Sequence, residues 1–550
     1  GVGGYNGLAP IVYVLSKTSY QVAQEAHQKF KENLLMMHYY TNPYKWPISI
    51  SGRHPTGTWS IPDKPYAYLA LAGTPDGKEA IDEEMAAVYL LVAKKKNLAW
   101  DKKFKQIGVQ AAKHPSGHWS LNYGLLEIHR RDNWLLTVKG HNRYIVSHEA
   151  YPKANVFGRY LSYGHVEVLF PETKTTTGSN FADKGWDWNR IPGTTTLHVP
   201  LDKLRANILN VDDYSGVEEM LLTDEVFAGG TSLNQQGLFA MKLRGHDKYN
   251  LGSFKAIKSW FMFDSLLVCL GSDIENSIKE YPTETTIFQN YLNKTNEVVL
   301  LDHQPIDFPA QLSKTLTTPT FVLDNRGIGY YLAANNNITL SKNQQQSRDQ
   351  KDTQNTKGNF ASLVLQHGSA PKNEGYEYAM LIGTDAQKMQ TFKTQMSGKT
   401  PVYQVLQKTA DAHSVKYTAQ QLTGLVLFKE NSKSTDPLII NNSKACLILY
   451  QPDAEKLNLA ITDPDLGFYQ GADETPLNNN GTRKEVSIYS RYWFKTDAQP
   501  SVIQLELKGN WLKADDSKKY EVAKTTQGNT IIKVNCAYGL ATRLTLKKGN

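Results

Sequence analysis

Apolar residues recur at three- and four-residue spacing over Leu8–Ser16, Tyr20–Met37, Pro65–Leu71 and Glu79–Lys94, the period of helices that bury one face. The stripe is plainest in Ile81, Met85, Val88, Tyr89 and Val92. Between these helices the chain turns through Pro- and Gly-rich stretches, Asn42–Pro47 and Ser51–Pro62, the second too long for a simple connector. Loops of that kind tend to carry function. From about Trp119 the period changes to two. Leu121–Ile128, Leu135–Lys139, Tyr144–His148, His165–Phe170 and Thr194–Val199 read as short strands between turn residues. Further runs follow at Leu238–Leu243, Ser259–Gly271, Thr285–Gln289, Glu297–Leu301, Gly329–Leu332 and Ala361–His367. So many strands in succession call for stacked antiparallel sheets, a large sandwich.

Two polar tracts interrupt this pattern. Asn335–Gly358 is rich in Asn, Gln, Ser, Lys and Asp, too polar to bury much surface, and reads as an exposed insertion. Near Asn431–Pro437 polarity rises again, and the runs Leu438–Tyr450, Leu457–Thr462, Glu485–Tyr489, Ser501–Leu507 and Asn529–Val534 predict a separate small β domain. The expected division is helices over residues 1–110, a central antiparallel sandwich over 111–430 and a C-terminal β domain over 431–550. A parallel βαβ sheet within residues 120–430 would overturn it.

With 550 residues, the chain is long enough for roughly three or four structural units. Hydrophobic residues make up 40% and charged residues 21%, a globular balance that excludes wholesale disorder and a fibrous protein. The longest apolar stretches, such as Trp260–Leu270 and Ala86–Ala93, fall short of the ~18 residues a membrane-spanning helix needs, so no membrane partner is expected. The net charge of +8 draws polyanions without choosing among nucleic acid, anionic polysaccharide and plain solubility. Cys269, Cys446 and Cys536 are odd in number, far apart and set among apolar residues, which excludes a disulfide scaffold and a Cys-based zinc site and predicts buried free thiols. There is no initiator Met and no basic-then-apolar leader, so the chain is expected to begin inside a longer protein.

Several loops carry candidate chemistry. Arg53, in Ser51-Gly-Arg-His-Pro55, has the geometry to hold a carboxylate or sulfate or to lower the pKa of a nearby acid; the bland alternative is a surface ion pair. Trp59, Tyr66 and Tyr68 either stack on sugar rings or simply pack. His114, His118, His129, His141 and His148, with Glu149, form the densest histidine region. His114 and His118 have i, i+4 spacing, but Pro115 and Gly117 between them deny the helix a zinc pair needs. Glu149 orients a basic side chain or is a solvated acid. In Gly185-Trp-Asp-Trp-Asn-Arg190 the two Trp side chains fall on one side of an extended chain, for packing or for ligand stacking. The opening GVGGYNG lacks the preceding strand of a dinucleotide loop.

Taken in order, these segments resemble polysaccharide lyase family eight, the chondroitin, dermatan and hyaluronan lyases. The resemblance rests on Tyr40-Thr-Asn-Pro43, Gly52-Arg-His-Pro55, Ser147-His-Glu149, Asn155-x-x-Gly-x-Tyr-x-Ser-x-Gly164, Gly185-Trp-Asp-Trp-Asn-Arg190, Pro192-Gly-Thr-Thr195, Glu284-Thr-Thr-Ile-Phe-Gln289, Gly358-Asn-Phe360 and Tyr376-Glu-Tyr378. It implies an α+β multidomain chain: the end of an α/α toroid, a β super-sandwich and a small C-terminal β-sandwich. It also implies that the family's catalytic His and Tyr lie upstream of Gly1, so that these residues alone are expected to be inactive. The reaction implied is β-elimination at a uronate, giving a 4,5-unsaturated uronide from chondroitin or dermatan sulfate, with hyaluronan as a further substrate.

By the same resemblance, Arg53 matches the Arg that lowers the Tyr pKa, Glu149 the carboxylate that orients the site, and Asn155 a sugar contact; His54 and Trp59 are assigned to substrate binding. No cofactor is required, although some family members respond to divalent cations, which leaves a structural cation open. The expected partners are an acidic polysaccharide and the missing part of the toroid, with no nucleic acid. The expected setting is a monomer secreted by a bacterium or held in its periplasm. The competing reading is a non-catalytic glycosaminoglycan-binding or scaffolding protein.

Overall fold

The computed structural model describes residues 2–56, 60–93, 98–131, 133–171, 178–211, 216–468, 485, 491 and 496–549. Helices α1 (Val2–Leu15), α2 (Gln24–Tyr40), α3 (Lys64–Ala72), α4 (Glu83–Val92) and α5 (Leu98–Gln106) open the chain. Asp82 caps α4 by accepting from the Met85 amide at 3.1 Å, and its second oxygen takes Lys31 of α2 at 2.7 Å. The helices share a core that includes Leu34, Met37, Tyr66, Leu69, Met85 and Tyr89. The apolar stripe that marks α4 is missing from α5, where Phe104 is a lone fully buried aromatic beside exposed lysines.

The chain then becomes sheet. Strands β1 (Gly117–Leu121), β2 (Leu126–Arg131), β3 (Trp134–Lys139) and β4 (His165–Leu169) form a four-stranded meander. It packs with a nine-stranded sheet running from Gln304–Pro305 at one edge to Ala228–Leu233 at the other, and with a five-stranded sheet that ends on β5 (Thr195–Leu197). Every ladder among the described strands is antiparallel. The nine-stranded sheet is covered on both faces. Trp260 and Met262 point into the main sandwich core, while Phe261 and Phe263 join a second core against Val415, Val426, Leu447 and Leu449.

Double coverage corrects one expectation. Ser259–Gly271 is not one strand but a hairpin, Lys255–Phe263 paired with Leu266–Glu275 through a turn at Asp264; with both faces apolar, no alternation marks the turn. Leu121–Ile128 likewise straddles the β1–β2 turn, and Tyr144–His148 is loop rather than strand.

Asn335–Gly358 is not an exposed insertion. Asn337–Arg348 and Asn355–Ser369 form a long hairpin in the five-stranded sheet. Its polar side chains bond one another, as in Ser341 to Ser362 at 2.8 Å, and Asp349 closes the turn by accepting from the Thr353 and Gln354 amides at 2.7 and 2.9 Å. Backbone ladders need no apolar side chains.

A seven-stranded sheet begins at Tyr403–Lys408 and packs on a four-stranded sheet as a C-terminal β-sandwich. Three of its strands precede Asn431, so the boundary expected at residue 431 falls inside this sheet, and Asn431–Pro437 is a loop within it. The expected run Glu485–Tyr489 lies, apart from Glu485, outside the described residues. The three cysteines are free and buried.

Candidate functional site

Helix α2 runs into the sandwich and is held there by one side chain. Arg130 of β2, 2% exposed, donates from Nη1 to the carbonyls of His38, Tyr39 and Thr41 at 3.0, 3.1 and 3.0 Å. Its Nη2 reaches Asn42 Oδ1 at 3.0 Å. A cation on the last carbonyls of a helix satisfies groups the helix cannot and complements its dipole; burial nevertheless lowers the guanidinium to about 10. Asn42 in turn donates to the Phe170 carbonyl at 3.0 Å, and the Ile48 amide donates to buried Glu167 at 2.7 Å. Tyr40-Thr-Asn-Pro43 is therefore the seam between helices and sheets, and it delivers residues 51–56 to the sheet side.

There Arg53 meets Glu149, Nη1 to Oε1 at 2.6 Å, with side chains 43% and 27% exposed. Gly52 has φ +57°, and a Cβ on it would stand 3.1 Å from Glu149 Oε2, so the turn and the close carboxylate both favour glycine. Beneath the pair lies Tyr151: the Arg53 guanidinium sits 4.4 Å from its ring centroid. The Tyr151 hydroxyl donates to Glu218 at 2.9 Å; burial first and Glu218 second push this phenol up, against the Arg53 charge.

Asn155 adopts a left-handed φ of 53° and donates from Nδ2 to the Glu149 carbonyl at 2.9 Å. Its amide fills the space over Gly158, where a Cβ would lie 2.2 Å from Oδ1, which accounts for the Asn155-x-x-Gly158 spacing. Its own N–H donates to Gln350 Oε1, while Oδ1 is buried with no hydrogen-bond partner among the described residues.

The structure thus brings Arg53, Glu149 and Asn155 together. His54 is exposed at the end of the same turn, its amide donating to the Ser51 carbonyl at 3.1 Å. Trp59 lies outside the described residues. Sequence reading missed Tyr151, Glu218 and Gln350. Tyr151 was signalled by its place two residues after Glu149 in an extended segment; Gln350 gave no signal, because it sits in the hairpin turn of the misread polar tract.

Glu149 faces outward because its neighbour is anchored inward. His148 accepts or donates at both nitrogens, to Ser147 Oγ and Glu219 Oε1, each at 3.0 Å. Glu219 also takes Lys248 at 2.6 Å and the Tyr249 hydroxyl. Burial pushes Glu219 up, but His148 and Lys248 outweigh it and hold the carboxyl at about 2. Replacing Tyr151 tests the support under Arg53. Tyr151→Leu is expected to speed hydrogen exchange across residues 51–56 about tenfold, the equivalent of a partly desolvated cation–π contact, with Tyr151→Phe changing it less. Equal acceleration in both variants would instead assign the effect to the hydroxyl and Glu218.

Along the helix–sandwich seam behind this pair runs a cavity of about 580 Å³, walled by Tyr40, Trp46, Lys139, Ile145, Glu149 and Asn155. The remaining candidates are structural. His118 bonds Glu127 at 2.7 Å and His129 at 3.2 Å in full burial, and among the described residues no three His, Cys, Asp or Glu converge to hold a metal ion. Trp186 and Trp188 are 1% and 0% exposed, in the sandwich core.

Comparison with known proteins accounts for the order of helices, sandwich and C-terminal domain. Residues 126–393 match the super-sandwich domain of polysaccharide lyase family 8, residues 404–466 its C-terminal β-sandwich domain, and residues 1–99 a lyase catalytic domain. The chain is 38% identical to a chondroitin sulfate ABC exolyase of Bacteroides thetaiotaomicron, covering 100% of this chain and 54% of that protein. It is also 38% identical to a chondroitin sulfate ABC exolyase of Proteus vulgaris, covering 92% and 50%. It spans about half the length of these relatives. In fold it resembles a xanthan lyase of Paenibacillus, with a TM-score of 0.74 at 17% identity, over 100% of this chain and 50% of that one. A chondroitin AC lyase of Streptomyces coelicolor A3 gives 0.73 at 14% identity, over 99% and 68%. With sandwich, C-terminal domain and helices each matched in sequence order, the chain belongs to polysaccharide lyase family 8.

Proposed function

We propose that this chain forms the C-terminal portion of a glycosaminoglycan lyase, closing an α/α toroid with its helices and cleaving chondroitin or dermatan sulfate, and hyaluronan as a further substrate, by β-elimination at the uronate. The observation that carries the proposal is the Arg53–Glu149 pair at 2.6 Å beside the seam cavity. Elimination requires a base to remove the uronate C5 proton while the C4 oxygen leaves. That proton is weakly acidic until the adjacent carboxylate charge is neutralised, so fixed positive charge is the main requirement. Glu149 engages one end of the guanidinium and Tyr151 carries its face, which holds Arg53 in place while its exposure leaves N–H donors for an incoming anion. There it favours ionised phenolate on a base and negative charge on the uronate. Asn155, bonded to the Glu149 carbonyl and lining the same cavity, is placed for a sugar contact.

Tyr151 is not the base. Its hydroxyl is committed to Glu218 and its ionisation is pushed up, the reverse of what proton abstraction needs. The family resemblance instead supplies the acid–base Tyr and His from residues outside this sequence, so the 550 residues alone are expected to show no turnover. In the protein carrying that Tyr and His, chondroitin and dermatan sulfate should yield the ultraviolet-absorbing unsaturated uronide. Arg53→Ala should cost about a hundredfold or more in kcat/KM. Because an ion pair this exposed contributes only about 0–1 kcal/mol, the variant should stay folded. Saccharide binding without product in the protein carrying them would favour the non-catalytic binding reading. The proposal includes a bacterial protein, exported or periplasmic and monomeric, which cell fractionation and light scattering check.

A further inference from the structure

We propose that Lys139 forms an anion subsite in the wall of the seam cavity, holding a carboxylate or sulfate of the bound saccharide. The proposal rests on the glycosaminoglycan reading above. Lys139 closes strand β3, is 8% exposed and lines the same cavity as Glu149 and Asn155. Its ammonium donates to the carbonyl of Gly140, the next residue, at 2.6 Å, and no carboxylate among the described residues pairs with it.

A second buried lysine shows what a structural role looks like. Lys258 donates to the Tyr163 carbonyl at 2.9 Å and the Gly193 carbonyl at 2.6 Å, fastening two distant loops across the sandwich core. Lys139 fastens nothing, since its carbonyl partner is adjacent in the chain. An ammonium withdrawn from water without a counter-charge is costly, and burial lowers this one to about 7. An apolar side chain would pack there at lower cost. An anion in the cavity supplies the missing charge.

The cavity walls carry the complementary polar atoms. Ser49 and Asn155 both line it, and their Oγ and Oδ1 are buried without a hydrogen-bond partner among the described residues. The volume of about 580 Å³ is in the range of small-molecule sites. Arg53 and Lys139 would then take two anionic groups of one oligosaccharide, Arg53 beside the cavity on Glu149 and Lys139 in its wall.

Titration calorimetry of the 550-residue chain with tetrasaccharides of unsulfated chondroitin, chondroitin 4-sulfate and chondroitin 6-sulfate tests this. Lys139→Met is expected to weaken binding about tenfold or more, the scale of a lost charge-assisted contact. Equal loss on all three ligands identifies the carboxylate as the bound group, and loss confined to the sulfated ones identifies sulfate. Unchanged affinity for all three, or no binding by the unsubstituted chain, overturns the subsite; the proposed function is judged separately, by turnover in the protein carrying the upstream Tyr and His. The native chain gives a measurement that does not depend on the variant folding. Acetylation of Lys139, read by mass spectrometry, should be blocked by whichever tetrasaccharide binds, while the exposed Lys17 is modified equally with and without it. Unprotected modification of Lys139, or none under either condition, overturns the subsite.

Discussion

Lowering the pH from 7.5 to 5.5 is expected to unfold the sandwich, with a loss of stability larger than any single substitution should cause. Burial holds His38, His129, His165 and His413 at about 3, His141 and His367 at about 4, and His118 and His246 well below the ordinary value. Folded, these eight rings stay neutral as the pH falls; unfolded, they take up protons through about 6.5. The stability they confer is therefore complete above that value and is lost on acidification toward their folded pKa values. At pH 5.5 each costs about 1.4 kcal/mol and the set about 11 kcal/mol.

Carboxyls pushed up by burial work the other way: Glu127 well up, Glu485 to about 7 and Asp183 to about 6. Each returns at most about 1.4 kcal/mol per pH unit. The net loss, of order 5–10 kcal/mol, rivals the entire stability of a typical domain. Tryptophan fluorescence against pH reads the transition. His165 offers a control, because both its ring nitrogens are buried without a hydrogen-bond partner among the described residues; His165→Phe should move the midpoint to lower pH, gaining about 1.4 kcal/mol at pH 5.5. Constant stability between pH 7.5 and 5.5 would contradict the argument.

The second large effect is expected from Arg130. Arg130→Met strands the carbonyls of His38, Tyr39 and Thr41 and the Asn42 amide oxygen in a buried seam. Breaking a buried charged network from one side costs about 3–5 kcal/mol. Hydrogen exchange should show faster opening of α2 and of residues 41–56, and with them the Arg53–Glu149 contact should loosen. Arg130→Lys keeps the charge but has a single point of donation in place of a planar fork, and should recover only part of the loss. Exchange in α2 unchanged by Arg130→Met would show that apolar packing alone holds the seam.

The helix-to-sheet change was legible because both elements are half-buried, so their periods of 3.6 and two survive in the sequence. It failed where that condition fails. Strands 255–263 and 266–275 are covered on both faces and show no alternation. Asn337–Arg348 holds its place by backbone ladder and polar side-chain pairs, which composition reads as loop. At the site, Arg53 and Glu149 were reachable from their motifs and Asn155 from its spacing to Gly158. The groups that position them were not. Glu218 and Gln350 act across 67 and 195 residues of chain, and Arg130 fell between two expected strands, with nothing to mark it until its contacts with the end of α2 were visible. Long-range partners leave no local period to find.

The C-terminal sheet places a restriction on how the protein is made. Its last strand, Thr542–Lys548, lies between Lys456–Thr462 and Trp511–Lys513, and Arg543 reaches back to Ser232 at 2.7 Å. On the ribosome this strand emerges after every other strand of the sheet, so the sheet stays open until Thr542–Lys548 has been made. Until then Lys456–Thr462 presents an unpaired edge, with Leu457, Leu459 and Ile461 awaiting the cover they have in the finished core, the kind of edge that recruits other chains. A chain truncated before Thr542 would lack that strand altogether. Such products should be sticky and short-lived, however complete their upstream site.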